Sequence, residues 1–265
     1  MPGLRKMVRE GTGLLAVFSI LPRVEMIEAI AIAGFDAVII DLEHGPIEVG
    51  DLPQLTLTAR AHGLSSIVRV RENNPSLIGS ALDAGANGVL VPQVGSRREA
   101  EAVVAAARFA PEGARGANPW VRAAAFQGGP DWFAAANESV AILVTIEGTD
   151  GIASARSIIE TPGLDGVFIG PVDLSNSLGV PGQIDHPLVV AKSSEVIDLA
   201  RERSMAVAMF APTPDGARKW LARGVTMAVV GVDAGHLVAA LSDIRKRASN
   251  EQGGLATTVE EEERT

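Results

Sequence analysis

The string AGFDAVII (33–40) runs from the end of a helical pattern, through a glycine and a polar residue, into a short apolar run suited to a buried strand. The same arrangement returns as AGANGVLV (84–91), PGLDGVFI (162–169) and RGVTMAVV (223–230). In each, glycine stands where a helix should stop and a strand-like run follows through a short turn. This is repetition of a βα unit, at the level of pattern rather than close identity.

Outward from these four points, apolar β-rich runs alternate with Ala-rich segments of helical spacing. The predicted strands are 14–20, 37–43, 66–71, 88–94, 141–147, 166–171, 206–211 and 228–233. Most are nearly continuous apolar runs, as parallel strands covered on both faces should be. Eight pairs predict a single-domain α/β fold, a closed TIM (β/α)₈ barrel over 14–248, with 1–13 as an N-terminal segment. Six or seven would have pointed to an open doubly wound sheet, the alternative arrangement. The Gly/Pro-rich stretch 111–130 breaks the rhythm and is expected to cover one end of the barrel. Residues 249–265, a Gly pair joined to an acidic run, are expected to be a disordered tail.

The chain has 265 residues, 47% hydrophobic and 21% charged, enough apolar material for a large core. Its formal charge of −9 argues against nucleic-acid or acidic-membrane surfaces, which need a basic footprint, and leaves small-molecule work as the default. Without cysteine there is no disulfide, thiolate nucleophile or Cys-bound zinc. No secretory or membrane-spanning pattern is present, so a cytoplasmic location is expected.

Barrel enzymes draw their reactive groups from strand C-termini. Here those ends carry Asp41, Glu43 and His44, then Arg69 and Arg71, Gln93, Glu147, Asp173 and Asp233. Glu147 and Asp173 would lie at neighbouring strand ends and could bind a hard divalent cation, Mg²⁺ or Mn²⁺ rather than zinc. The competing readings are an ion pair of Glu147 with Arg69 or Arg71, and turn formation by Asp173. His44, three residues after Asp41, could have its ring fixed by that carboxylate and act as a base. Arg69 and Arg71 both could clamp a carboxylate and steady a developing enolate, and strand parity does not separate them. The four lysines, Lys6, Lys192, Lys219 and Lys246, lie in the N-terminal segment or in helices, which disfavours imine chemistry and leaves a metal to polarise a carbonyl.

The strings GFDAVIIDLEHGP (34–46), ALDAGANGVLVPQV (81–94), ARFAPEGARG (107–116), VTIEGTDGI (144–152) and DGVFIGPVDLSNSLG (165–179) together resemble the HpcH/HpaI-type 2-oxo-acid aldolases, over roughly 14–248. Asp-x-Glu-His after the second strand with Gly-Pro-x-Asp-Leu-Ser after the sixth is the specific combination. The resemblance implies a phosphoenolpyruvate/pyruvate-type barrel that reversibly cleaves a 4-hydroxy-2-oxo acid to pyruvate, or a related 2-oxo acid, and an aldehyde through an enolate. It implies Glu147 and Asp173 as ligands of a divalent metal ion (Mg²⁺, Mn²⁺ or Co²⁺), His44 as base with Asp41 as partner, and Arg69 as the arginine that binds carboxylate and enolate. Backbone around Gly170 and Pro171 would hold the oxo acid. Asp83 matches an acidic residue supplied across the interface of a homo-oligomer, typically a hexamer. Thr145 stands where members commonly carry Gln, a shorter group beside the substrate, and NPWVRAAAFQGGP (118–130) is expected to reshape the aldehyde pocket. A citryl- or malyl-CoA lyase relative and a non-catalytic oxo-acid-binding barrel are the competing functions; few basic residues are available for CoA phosphates.

Overall fold

The computed structural model describes residues 3–10 and 13–255. Eight parallel strands close into a barrel in chain order: β1 (Leu14–Ser19), β2 (Ala37–Asp41), β3 (Ser65–Arg69), β4 (Gly88–Val91), β5 (Ala141–Ile146), β6 (Gly166–Ile169), β7 (Ala206–Ala211) and β8 (Met227–Val232). The helices are α1 (Leu4–Glu10), α2 (Val24–Ile32), α3 (Leu52–Ala61), α4 (Pro75–Asp83), α5 (Arg97–Ala107), α6 (Pro130–Ser139), α7 (Thr149–Ala153), α8 (Ala155–Ile159), α9 (Pro171–Ser177), α10 (Pro187–Glu202), α11 (Pro214–Ala222) and α12 (Asp233–Leu255). Several strands stop one to three residues before their predicted ends, because the polar residues at the rim leave the ladder.

The four repeated strings do the same work at the bottom of the barrel. Their glycines, Gly34, Gly85, Gly163 and Gly224, have φ of 87°, 104°, 84° and 105°, the left-handed region that other residues rarely adopt. The polar residue two positions on then clips the preceding strand. Asp36, Asn87, Asp165 and Thr226 accept from the backbone N–H of Leu15, Ser66, Ile142 and Val207 at 2.8, 2.9, 2.9 and 2.9 Å. Their own N–H groups donate back to the carbonyls of those residues at 2.8–3.0 Å. Each string thereby locks an even strand to the odd strand before it.

Two apolar clusters follow from strand alternation. One face packs on the helices; the other fills the barrel with Ala16, Phe18, Ile39, Ile67, Leu143, Phe168, Ala208 and Val229 among others. Leu4 and Val8 of α1 belong to the inner cluster. The segment preceding the barrel is therefore a helical plug for its lower end, a role its sequence did not announce. Arg5 and Arg9 of that plug reach Asp165, each at 2.8 Å.

Two expectations are revised. The connection between α5 and α6 does cover a barrel end, but the lower one: Arg115, Ala123 and Trp132 line a cavity with Gly85 and Asn87. NPWVRAAAFQGGP consequently does not shape a pocket at the upper rim of its own chain, because an αβ connection returns to strand N-termini. The segment expected to be unstructured begins as helix: α12 runs past Ser249 to Leu255. Asp243 pairs with Arg247 one turn on, and each added residue extends an established helix by a hydrogen bond; residues 256–265 lie outside the described residues. Among the described residues, no helix is long and apolar enough to cross a membrane.

Candidate active site

The inner columns of the barrel end in polar residues at the upper rim. Asp41 and Arg69 end β2 and β3 as register partners. Arg69 Nε donates to Asp41 Oδ1 at 2.8 Å and Nη2 to Oδ2 at 2.6 Å, a bidentate buried pair. Burial alone would lower the Arg69 pKa; the bond to Asp41 and the charges of Asp41, Glu43 and Glu147 more than offset it, so the guanidinium titrates above its ordinary value. Its Cζ also lies 4.5 Å from the Phe18 ring centroid.

Asp41 does not hold the His44 ring as the sequence predicts. Its oxygens are taken by Arg69, and Oδ1 also accepts the backbone N–H groups of Glu43 (3.0 Å) and His44 (3.4 Å). It thus places His44 by shaping the turn, while His44 Nε2 stands 3.9 Å from Glu43 Oε2 with its side chain 63% exposed. Arg71 leaves the site altogether. The strand stops at Arg69, so alternation no longer applies, and Arg71 donates to the Leu42 and Ile47 carbonyls and pairs with Glu48 at 2.8 Å.

Glu147 follows β5 and is 8% exposed. Its Oε1 accepts from the Gln93 backbone N–H at 2.8 Å, an amide presented by a residue with φ of 57°. Its Oε2 would lie 2.9 Å from a Cβ added to Gly170, so only glycine leaves that carboxylate its place. Gly170→Ala is expected to displace Glu147 and weaken divalent-cation affinity by about 10–100-fold, the range for residues that orient a ligand; calorimetric titration with Mn²⁺ checks it. Burial pushes the Glu147 carboxyl up to about 7 against the Gln93 amide, which lowers it, and the charges of Asp173 and Glu43 push the same way as burial. Burial likewise raises Glu43.

Asp173 lies in the first turn of α9, where a carboxylate is favoured. Pro171, at the first position of that helix, has no N–H, so the first helical donors here belong to Val172 and Asp173. Asp173, Glu147 and His44 line two adjoining lobes at the barrel mouth. One, about 440 Å³, is acidic, with Glu43, Glu99 and Asp150. The other, about 310 Å³, has Arg69 and Asp41 at its polar end and a wall of apolar side chains. Thr145 sits on β5 two residues before Glu147, 1% exposed, its hydroxyl without a hydrogen-bond partner.

The donor set suits a hard divalent cation. Among the described residues no group of three or more His, Cys, Asp or Glu is placed to hold a metal ion; the two carboxylates Glu147 and Asp173 could hold one, with water and substrate as further ligands. Glu43 Oε2 is buried with no hydrogen bond, although Arg69 Nη1 lies 3.1 Å away. A cation here would offset the charges of Asp173 and Glu43, which add to burial in raising Glu147.

Of the other residues singled out, Asp83 ends α4 at the lower face, away from this cluster, and pairs with Arg115 at 2.7 Å. Asp233 is a clasp: it accepts from Ser19 Oγ (2.8 Å) and from the N–H groups of Ile20 and Leu21 (3.1 and 3.2 Å). Gln93 and Glu43, which sequence reading noted only as strand-end polar residues, prove to be neighbours of Glu147; the Gln93 contact depends on a positive φ that its residue type does not signal.

The sequence profile of the HpcH/HpaI aldolase/citrate lyase family matches residues 14–240. A 5-keto-4-deoxy-D-glucarate aldolase of Klebsiella pneumoniae is 36% identical over 208 residues, 78% of this chain and 81% of that one. A pyruvate aldolase of Rhizobium etli is 36% identical over 230 residues, 86% and 90% of the two chains. The crystal structure of an HpcH/HpaI aldolase/citrate lyase family protein from Burkholderia cenocepacia has a TM-score of 0.89 and 33% identity, over 93% of this chain and 98% of that one.

Proposed function

This chain belongs to the HpcH/HpaI aldolase/citrate lyase family and is a carbon–carbon lyase of the aldolase type, and on that premise we propose how its residues divide the work. The substrate is a 4-hydroxy-2-oxo acid, cleaved reversibly to pyruvate or a related 2-oxo acid and an aldehyde. One observation carries this reading: Glu147 and Asp173, from successive βα units, line the same cavity as Arg69 and His44. Those two carboxylates would hold a divalent cation, Mg²⁺ or Mn²⁺, which supplies the Lewis acidity that makes protons next to a carbonyl removable.

Arg69 binds the oxo acid and steadies the negative charge that develops on its keto oxygen. Two of its nitrogens are locked on Asp41, which fixes the plane, and Nη1 is the one turned toward Glu43 and the cavity. Gly170, which lines the same lobe, would support the substrate through its backbone, with Thr145 buried behind it, its Cγ2 3.5 Å from a Cβ added at Gly170. His44 takes a methyl proton, giving an enolate whose carbon attacks the aldehyde carbonyl, and the protonated ring then returns a proton to the new alkoxide. In cleavage the neutral ring takes the C4 hydroxyl proton first.

A homo-oligomer, a hexamer by family resemblance, is part of the proposal. Leu237, Val238, Leu241 and Ile244 form an exposed apolar face on α12 beyond its first turn, and contiguous apolar surface of this kind favours association. Asp83, on the lower face, would complete a neighbouring copy's site rather than its own.

Exchange of pyruvate methyl protons into D₂O tests the reading without needing the aldehyde. His44→Ala is expected to slow exchange by about 100-fold or more while leaving Mn²⁺ affinity nearly unchanged; exchange at the wild-type rate would move the proton transfer to another group. Chelation is expected to stop exchange in the wild-type protein. Affinity for the cation should rise with pH up to about 7 and then level, since Glu147, raised to about 7 chiefly by burial, must lose a proton to bind. Titration in buffers of different ionisation enthalpy should show proton release at pH 6 and little at pH 8.

A further inference from the structure

We infer that the loop 116–128, at the lower end of the barrel, docks over the barrel mouth of a second copy of this chain. This rests on the reading that copies associate and that a neighbour completes each site, and it names the surface that does so. Trp120 and Phe126 are 74% and 55% exposed, whereas every other Trp or Phe is buried or half-buried. The loop that presents them is a built feature. Gly128 N–H donates to the Pro119 carbonyl at 2.9 Å and Phe126 N–H to the Val121 carbonyl at 3.0 Å, while the Asn118 side chain accepts from Trp120 N–H at 2.9 Å. Ala125 and Phe126 have φ of 50° and 60°, a left-handed conformation that residues with a Cβ disfavour and that persists where the surroundings require it. Holding two aromatic rings in water this way gains nothing; a partner surface supplies the gain.

Position and charge say which surface. Arg115, at the base of the loop, pairs with Asp83 at 2.7 Å, and the Arg122 side chain lies against Gly85, just past the end of α4. A face that carries Asp83 into a neighbour's site therefore carries Trp120 and Phe126 with it. The mouth of their own barrel is at the opposite end and out of reach. A neighbour's mouth offers both kinds of complement. Val172, 46% exposed, stands beside Phe18, Phe168 and Phe210 in the apolar lobe, and Glu99 and Asp150 line the acidic one. The loop brings aromatic area to the first. To the second it brings Arg122, which makes no ion pair among the described residues and stands 5.8 Å from the Phe126 ring centroid.

The chain has no cysteine, so introduced pairs report cleanly. Trp120→Cys and Val172→Cys, placed together in the full chain, lie at opposite ends of one barrel and can be linked only between copies. Both positions are exposed, so the core is left intact. With a short bismaleimide we expect covalent dimers and larger species on denaturing gels. They should form at least about tenfold faster than from Trp120→Cys combined with Glu195→Cys, an exposed position on α10, because docked thiols meet at a high effective concentration. Equal rates for the two pairs, or no linked species from the first, would overturn the inference. Asp83→Cys with Val172→Cys separates the two levels of the argument. If that pair links and the Trp120 pair does not, this inference falls and the reading that a neighbour supplies Asp83 stands; if neither links, that reading falls as well.

Discussion

Glu147→Gln is expected to remove divalent-cation binding and to slow pyruvate methyl-proton exchange by at least about 1000-fold, the loss that follows when several kcal/mol of Lewis-acid stabilisation are withdrawn. The substitution keeps the shape of the side chain, and its amide oxygen can still accept the Gln93 N–H, so the loss is one of charge rather than packing. Stability should move the other way. With burial raising the Glu147 carboxyl to about 7, the folded chain holds a proton that the unfolded chain releases near the ordinary carboxylate value. Between those two values the metal-free protein therefore loses stability as pH rises, and above about 7 the penalty is fully present. Glu147→Gln removes that group's share of the pH dependence, so at pH 8 the metal-free variant should melt no lower than wild type. Thermal melts at pH 5 and pH 8 with added chelator, beside exchange rates with Mg²⁺, check both halves.

Asp165→Ala is expected to cost about 3–5 kcal/mol, the range for breaking a buried ion pair by removing one partner. Asp165 is fully buried and accepts from Arg5 and Arg9 through Oδ1 and from Arg108 and the Ile142 N–H through Oδ2, at 2.8–2.9 Å. Alanine would leave Arg108 buried without its carboxylate, loosen the α1 plug and release the clip between β5 and β6. For a chain of this size that corresponds to a melting temperature lower by about 10 °C. The change lies at the lower end of the barrel, so exchange activity per folded molecule should persist below the melt; loss of activity without loss of stability would contradict this division between the ends.

The legible part of the fold was the part written in local chemistry. The Gly and the polar residue of AGFDAVII and its three echoes announced helix stop and strand start, and the structure adds why the polar residue is there: it clips the previous strand. The plug α1 was not legible, because a short helix whose apolar residues meet the barrel only in three dimensions has no local pattern to set it apart. At the site, types and strand ends brought Asp41, Arg69, Glu147 and Asp173 within reach of one another on paper. What sequence spacing misjudged was direction. Asp41 and His44 stand three apart, but the side chain of Asp41 points inward to Arg69, and it reaches His44 only at the backbone. Arg69 and Arg71 share parity only while the strand continues, and it does not. Asp83, which the resemblance assigned to a neighbour's site, lies on the lower face, away from its own chain's cluster.

The account depends on Glu147 and Asp173 sharing one cation beside the oxo acid. Crystals grown with Mn²⁺ and pyruvate, measured at a wavelength where manganese scatters anomalously, test that directly. The predicted result is a single manganese peak within bonding distance of a carboxylate oxygen from each residue, with pyruvate density reaching from it toward Arg69. A peak held by Glu43, Glu99 or Asp150 in the acidic lobe, with Glu147 and Asp173 left free, would contradict it.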